Sequence, residues 1–253
     1  MTQLRDLYTT LRTQNTADHI NWCNDLLERT TSGIQGLTLS AMFHQALADN
    51  ANLDFIGDKF FTNADRANAQ TVRTRVHDCL SKTQGNPITV NLDTGPYMFM
   101  YLGREFSPLR HLNLGWVDYF AKTDCVPVLG EVKCNDDQNP FYAFIQLLTY
   151  LSEMATPNQI TRATTHGELQ IDVNFPQKFD LHILLVDHQA FNPKSKRHQL
   201  IESTRRLAKQ FKCELVNQFP PATDVVGNVL CLRMNPESFN DDDAVSLDCI
   251  WAE

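Results

Sequence analysis

Val126-Pro-Val-Leu-Gly-Glu-Val-Lys-Cys134 has the look of a buried β-strand interrupted by two charges. A strand sends alternate side chains to opposite faces and rises about 3.3 Å per residue. Glu131 and Lys133 therefore share one face, while Val128, Gly130 and Val132 share the other. Two opposite charges roughly 7 Å apart along one strand face are costly to bury without a partner. A divalent cation and a phosphate would supply one.

Asp118 lies upstream, near the end of a second strand-like run, Leu112 to Phe120, and Lys122-Thr123-Asp124 suits the turn between the two. A hairpin of that size brings Asp118 beside Glu131. Two carboxylates with substrate phosphate and water are the usual way of holding Mg²⁺. A lysine next to the metal stabilises charge on phosphoryl oxygens or orients the attacking water.

Asp118, twelve intervening residues and then Glu131-x-Lys133 resemble the signature of the PD-(D/E)XK phosphodiesterase (nuclease) superfamily. Gln146-Leu-Leu-Thr-Tyr150 downstream resembles the QxxxY element of its RecB-like branch. The resemblance spans roughly residues 97–190. It departs at Val117, where the superfamily often has Pro. It implies a restriction-endonuclease-like α/β fold, a mixed central sheet flanked by helices. It also implies a Mg²⁺- or Mn²⁺-dependent nuclease acting on nucleic acid, DNA first, with self-association left open. Asp118 and Glu131 would hold the metal, with the carbonyl of Val132. Lys133 would sit against the scissile phosphate, Gln146 would orient water or substrate, and Tyr150 would contact substrate. The superfamily usually adds an acid from a helix ahead of the core strands, and Glu28 is the candidate here. The alternative is a nuclease-like domain that binds nucleic acid or a protein partner without cutting.

The helix carrying Gln146 runs from Pro140 to Met154, with Asn139 as cap and Pro140 in the first turn. Phe141, Phe144, Ile145, Leu148 and Leu151 make its apolar stripe, and Tyr142, Gln146 and Tyr150 line a flank at four-residue spacing. Thr156 to Asn174 is expected to be a polar connection with a short strand at Leu169 to Val173. Phe179 to Asp187 is the most apolar strand and is expected at the sheet's centre. Ser195 to Phe211 is a basic helix, and Asn228 to Met234 is expected to be the last strand. The acidic Asp241-Asp-Asp243 after it is expected to be mobile.

Upstream, Leu4, Leu7, Tyr8 and Leu11 and then Ile20, Cys23, Leu26 and Leu27 recur at helical spacing. Thr16-Ala-Asp-His caps the second run, and Gly33 and Gly36 end it. Leu37 to Asn50 predicts another helix, with Thr38 or Ser40 at its start, and Asn63 to Lys82 a longer one. Ile88 to Leu92 and Tyr97 to Leu102 predict strands around the turn Asp93-Thr-Gly-Pro96. Arg104 to Arg110 is expected to be a polar loop in which Arg104, Glu105 and Arg110 are solvated, the alternative being contact with substrate. Residues 1–85 thus form a helical N-terminal region, part of or packed on an α/β core at 86–253.

The 253 residues carry a net charge of −8, which argues against a surface coated for non-specific nucleic-acid binding. The charge is segregated. Lys194 to Lys212 holds seven basic residues against Glu202 alone, leaving a balance of −14 elsewhere. Arg205 and Lys209 in that run are candidate phosphate-tracking residues, the alternative being a solvated helix face. The seven cysteines have no CxxC pairing, and no His or Cys cluster has zinc spacing. With no visible signal peptide or transmembrane run, the chain is expected to be cytoplasmic, with reduced thiols and no membrane contact.

Overall fold

A computed structural model describes residues 2–32, 37–51, 61–62, 72–83, 85–107, 117–124, 126–134, 139–165, 177–186, 195–235 and 245–253. Three helices open the chain: α1 (Gln3–Leu11), α2 (Thr16–Ser32) and α3 (Leu39–Asn50). Asn15, not Thr16, caps α2. Its side-chain oxygen accepts from the N–H groups of Ala17 and Asp18, while Asp18 accepts from the Asn15 N–H, a reciprocal cap. Thr38 caps α3 through the Ala41 N–H. Gly33 and Gly36 lie outside the described residues.

The short β1 (Phe61–Thr62) precedes α4 (Val72–Ser81), the described part of the expected helix over 63–82. Then come β2 (Ile88–Leu92), β3 (Gly95–Ser107), β4 (Val117–Lys122), β5 (Pro127–Cys134), α5 (Pro140–Met154), α6 (Pro157–Thr165) and β6 (Phe179–Val186). α7 (Lys196–Gln218), α8 (Pro220–Thr223), β7 (Val226–Met234) and β8 (Leu247–Ala252) complete the order. Seven strands are hydrogen-bonded in the order β1-β3-β4-β5-β6-β7-β8, with β2 paired to the first half of β3. β3, β4 and β5 form an antiparallel meander. α5 carries the chain over to β6, parallel to β5, and α7 carries it to β7, parallel to β6. The protein is therefore a mixed α/β sheet flanked by helices.

Alternation along the strands divides the core in two. Leu129 of β5 and Leu181, Ile183 and Leu185 of β6 face a cluster shared with α1, α2, α3, α5 and α7. Val128, Val132 and Leu184 face the other cluster, closed by α4 and by a hairpin of β2 with the start of β3. That hairpin crosses the back of the sheet and lies against β8. Leu4, Leu7 and Leu26 sit in the same apolar cluster as Phe144 and Leu148, so the N-terminal helices share the core. β6 is buried at every residue, as expected of a central strand.

Several expectations change. Arg104 to Ser107 continue β3 rather than forming a loop, because both β1 and β4 pair with that end. Arg110 and residues 112–116 of the expected β4 run lie outside the described residues. Where a polar connection was expected after Thr156, α6 forms, and the expected strand over 169–173 lies outside the described residues. α7 runs on past Phe211 to Gln218. Met234 does not end the sheet, because β8 adds an antiparallel edge through Leu230↔Ala252 to Met234↔Leu247. Asp241 to Asp243 lie outside the described residues. No helix among those described is long and apolar enough to cross a membrane. Six cysteines are described, all free thiols.

Candidate active site

The β4–β5 ladder runs from Lys122↔Pro127 to Tyr119↔Gly130. Continued one step past this last pair, the register would set Asp118 level with Glu131, and directly opposed residues on antiparallel strands share a face. Gly130 is required at this crossing: the Tyr119 ring occupies the space a β-carbon would take. Beyond Gly130 the Asp118 carboxylate takes over from the ladder, its Oδ2 accepting the Val132 N–H at 2.8 Å. In an extended strand the carbonyl of a residue leaves by the same edge as its N–H. The Val132 carbonyl thus faces β4 as well.

Glu131 and Lys133 stand on the helix-covered face, 1 % exposed each, with Asp118 at 3 %. The Lys133 Nζ donates to Glu131 Oε1 at 3.1 Å and to Gln146 Oε1 at 3.2 Å. Gln146 Nε2 donates to the Tyr150 hydroxyl at 3.1 Å. The amide orientation is dictated by its neighbours, since an ammonium can only donate. Burial raises the Tyr150 hydroxyl well above its ordinary pKa, and the negative charge of Glu131 adds to the effect.

α5 is enclosed nearly all round, with only Tyr142 of its residues not buried, so Gln146 and Tyr150 project into the interior toward β5. Its other polar groups have partners too. Thr149 bonds the Ile145 carbonyl at 2.8 Å, and Glu153 accepts from Arg5 of α1 at 2.5 Å. Asn139 caps the helix through the Tyr142 N–H at 2.9 Å.

The structure brings Asp118, Glu131, Val132, Lys133, Gln146 and Tyr150 together. It does not bring Glu28, which is exposed on a helix packed mainly against α7. Among the described residues no group of three or more His, Cys, Asp or Glu side chains could hold a metal ion. Arg205 binds Glu253 at 3.1 Å and belongs to the β8 edge. Three strand spacings separate β8 from β5, about 14 Å. Lys209 is exposed on the same helix.

Three further rings join the site, Tyr142 from the helix flank that also carries Gln146 and Tyr150, and Tyr8 and His19, which carried no functional expectation. Tyr142 lies with its ring centroid 4.6 Å from the Lys133 ammonium. Tyr8 of α1 stacks on Tyr142 at 5.6 Å and 4°, and His19 of α2 at 5.8 Å and 15°. The four-residue step from Tyr142 to Gln146 was a legible signal. Tyr8 and His19 had none, because their approach depends on how α1 and α2 dock.

Compared with known protein families, with curated proteins and with solved structures, the chain matched none of them.

Proposed function

We propose that this protein is a metal-dependent phosphodiesterase that hydrolyses nucleic acid, with DNA the first substrate to test. The observation supporting this most is that the Asp118 carboxylate bonds the Val132 N–H, between Glu131 and Lys133 in β5, with the Lys133 ammonium held between Glu131 and Gln146. A restriction-endonuclease-like assignment of the fold belongs to the same proposal. It is supported by the meander, helix and parallel strand that frame these residues.

The donor set suits a hard cation. Asp118, Glu131 and the Val132 carbonyl offer only oxygen, which fits Mg²⁺ or Mn²⁺ retaining part of its water. When bound, such an ion polarises the phosphoryl oxygen and makes its water more acidic. Two carboxylates and one ammonium leave the trio with a negative charge in excess, which repels phosphate. A divalent cation reverses that sign. Lys133 donates to a non-bridging phosphoryl oxygen and offsets the charge that grows there. Gln146 sets the direction in which the ammonium points, and Tyr150 fixes Gln146. Arg205 and Lys209, on the exposed side of α7, track the phosphate backbone away from the reacting bond.

The test is cleavage of single- and double-stranded DNA and of RNA with Mn²⁺, compared with Glu131→Gln and Lys133→Met in preparations verified as folded by circular dichroism. Each substitution should lower the rate by about a hundredfold or more. Variants as active as the native chain would remove the assignment.

A second reading, a nuclease-like domain that binds a partner without cutting, is favoured by one observation. No third acid joins Asp118 and Glu131 among the described residues. Titration calorimetry with Mn²⁺ separates the two, since absence of binding at millimolar metal supports the binding module.

A further inference from the structure

We infer that Tyr142 is a positioning residue for Lys133, and that α1 and α2 belong to the site because they hold Tyr142 in place. The inference rests on the phosphodiesterase reading for its consequence in catalysis, but its geometry stands apart from it.

A lysine side chain has four rotatable bonds and a compact charge that ordinarily stays in water. Here the ammonium is buried, and its direction is set by what surrounds it. Glu131 and Gln146 each accept one N–H from the ammonium. The Tyr142 ring lies 4.6 Å away, inside the distance at which a ring face attracts a cation. Such an attraction strengthens where water is excluded.

Tyr142 sits in the first turn of α5, where side chains are least constrained by their own helix. Its constraint comes from elsewhere. Tyr8 lies parallel to it, and Tyr8 also packs on Tyr150 with centroids 6.3 Å apart. α1 is fastened to the far end of α5 by the Arg5–Glu153 pair. His19 stacks on Tyr142 as well and is itself held at both ring nitrogens. Asn139 Nδ2 donates to His19 Nδ1, and His19 Nε2 donates to the Leu11 carbonyl at 2.9 Å. The ring proton of His19 therefore rests on Nε2. Asn139 thus serves twice, capping α5 beneath Tyr142 and orienting the imidazole that stacks on it. A path of direct contacts joins α1 and α2 to the Lys133 ammonium through one ring.

What meets the ammonium in Tyr142 is the ring, so phenylalanine, which gives up only the hydroxyl's hydrogen bond with Tyr8, should replace it and leucine should not. The experiment uses the full chain with ¹³C-labelled lysine, the Lys133 signal being identified by its loss in Lys133→Arg. The Tyr142 ring current should displace the Lys133 Cε protons from the ordinary lysine position. Tyr142→Phe should keep the displacement, and Tyr142→Leu should abolish most of it. Tyr8→Leu, which keeps the Tyr142 ring but removes the neighbour stacked on it, should lose part of it and serves if Tyr142→Leu does not fold. On DNA with Mn²⁺, Tyr142→Leu should lower kcat about tenfold or more while KM changes little, and Tyr142→Phe should stay near native. A Lys133 signal that ignores both the leucine substitutions overturns the inference, as does a displaced signal with unchanged kcat. If the native chain cleaves nothing, the phosphodiesterase reading fails, and the Lys133 signal still decides whether the ring holds the ammonium.

Discussion

The Asp118 carboxylate of β4 accepts the main-chain N–H of Val132 in β5 at 2.8 Å, and so replaces a ladder hydrogen bond just where Glu131 and Lys133 leave the sheet. The same carboxylate is therefore structural and, on the proposed reading, a metal ligand. Asn at this position keeps an acceptor oxygen but removes the charge. Asp118→Asn should stay within about 1 kcal/mol of native stability while losing Mn²⁺ binding, and Asp118→Ala should cost about 2 kcal/mol because the Val132 N–H is left buried. Denaturant midpoints and calorimetry on the two variants check this. Native Mn²⁺ affinity in Asp118→Asn would remove Asp118 from the metal site.

The Glu131–Lys133 pair is buried, with 2 % side-chain exposure on each partner. Desolvation makes such a pair weak as a source of stability and dangerous to break. Lys133→Met alone should cost about 3–5 kcal/mol, and adding Glu131→Gln should recover much of that loss. Urea denaturation of the two single variants and the double variant gives the answer. Additive losses would show that the two charges do not depend on each other.

Gly130 and Tyr119 face each other in the β4–β5 register, and a β-carbon at 130 would fall within the Tyr119 ring. The ring is not free to leave, since its hydroxyl donates to His182 Nδ1 at 3.1 Å. Gly130→Ala should destabilise by about 3 kcal/mol. Combined with Tyr119→Ala it should show a favourable coupling of about 1 kcal/mol or more in a double-mutant cycle. Zero coupling would mean the strands separate without regard to the ring.

Two buried groups tilt the pH dependence in opposite directions. Burial raises the Glu153 carboxyl from 4.5 to about 7, against the pull of Arg5. An acid raised in the folded state stabilises most below its unfolded value, so this contribution is lost as pH climbs toward 7. Burial lowers His182 from 6.5 to about 3. Its contribution is full above 6.5 and lost as pH falls. Between 4.5 and 6.5 the two slopes partly cancel. Glu153→Gln should remove one of them, leaving stability that drops more steeply on acidification from 6.5 to about 5 than in the native chain. Thermal melts across that interval decide it. Parallel curves for the two proteins would exclude Glu153 as the opposing group.

His182 belongs to a directed chain on the back of the sheet. Tyr119 donates to His182 Nδ1, His182 Nε2 meets the Tyr97 oxygen at 2.9 Å, and Tyr97 donates to Asp180 at 2.8 Å. Asp180 also accepts the Asn228 N–H at 2.6 Å. Each group has its donor and acceptor roles settled by its neighbours, with a neutral imidazole at the centre. The chain fastens the β2–β3 hairpin to β6 and β7.

The order of elements was legible because the relevant signals are local. Alternation around Gly130, the Asn139-Pro140 cap and the apolar run from Phe179 depend on neighbours within a few residues, and the structure has strand, helix and central strand there. The common face of Glu131 and Lys133 follows from strand geometry alone. The level position of Asp118 needed only the turn between Lys122 and Val126, closed by the Thr123 N–H to the Val126 carbonyl at 2.9 Å. Tertiary structure alone decided the rest. β8 has weak alternation of its own and is a strand because β7 offers it an edge. Tyr8 and His19 reach Tyr142 only because burial of Leu4, Leu7 and Leu26 in the common core sets how α1 and α2 lie on α5. Arg205 turns to Glu253, a partner 48 residues along the chain. Local sequence sets which way a side chain leaves its own backbone, whereas what it meets depends on packing between distant segments, which carries no periodic trace.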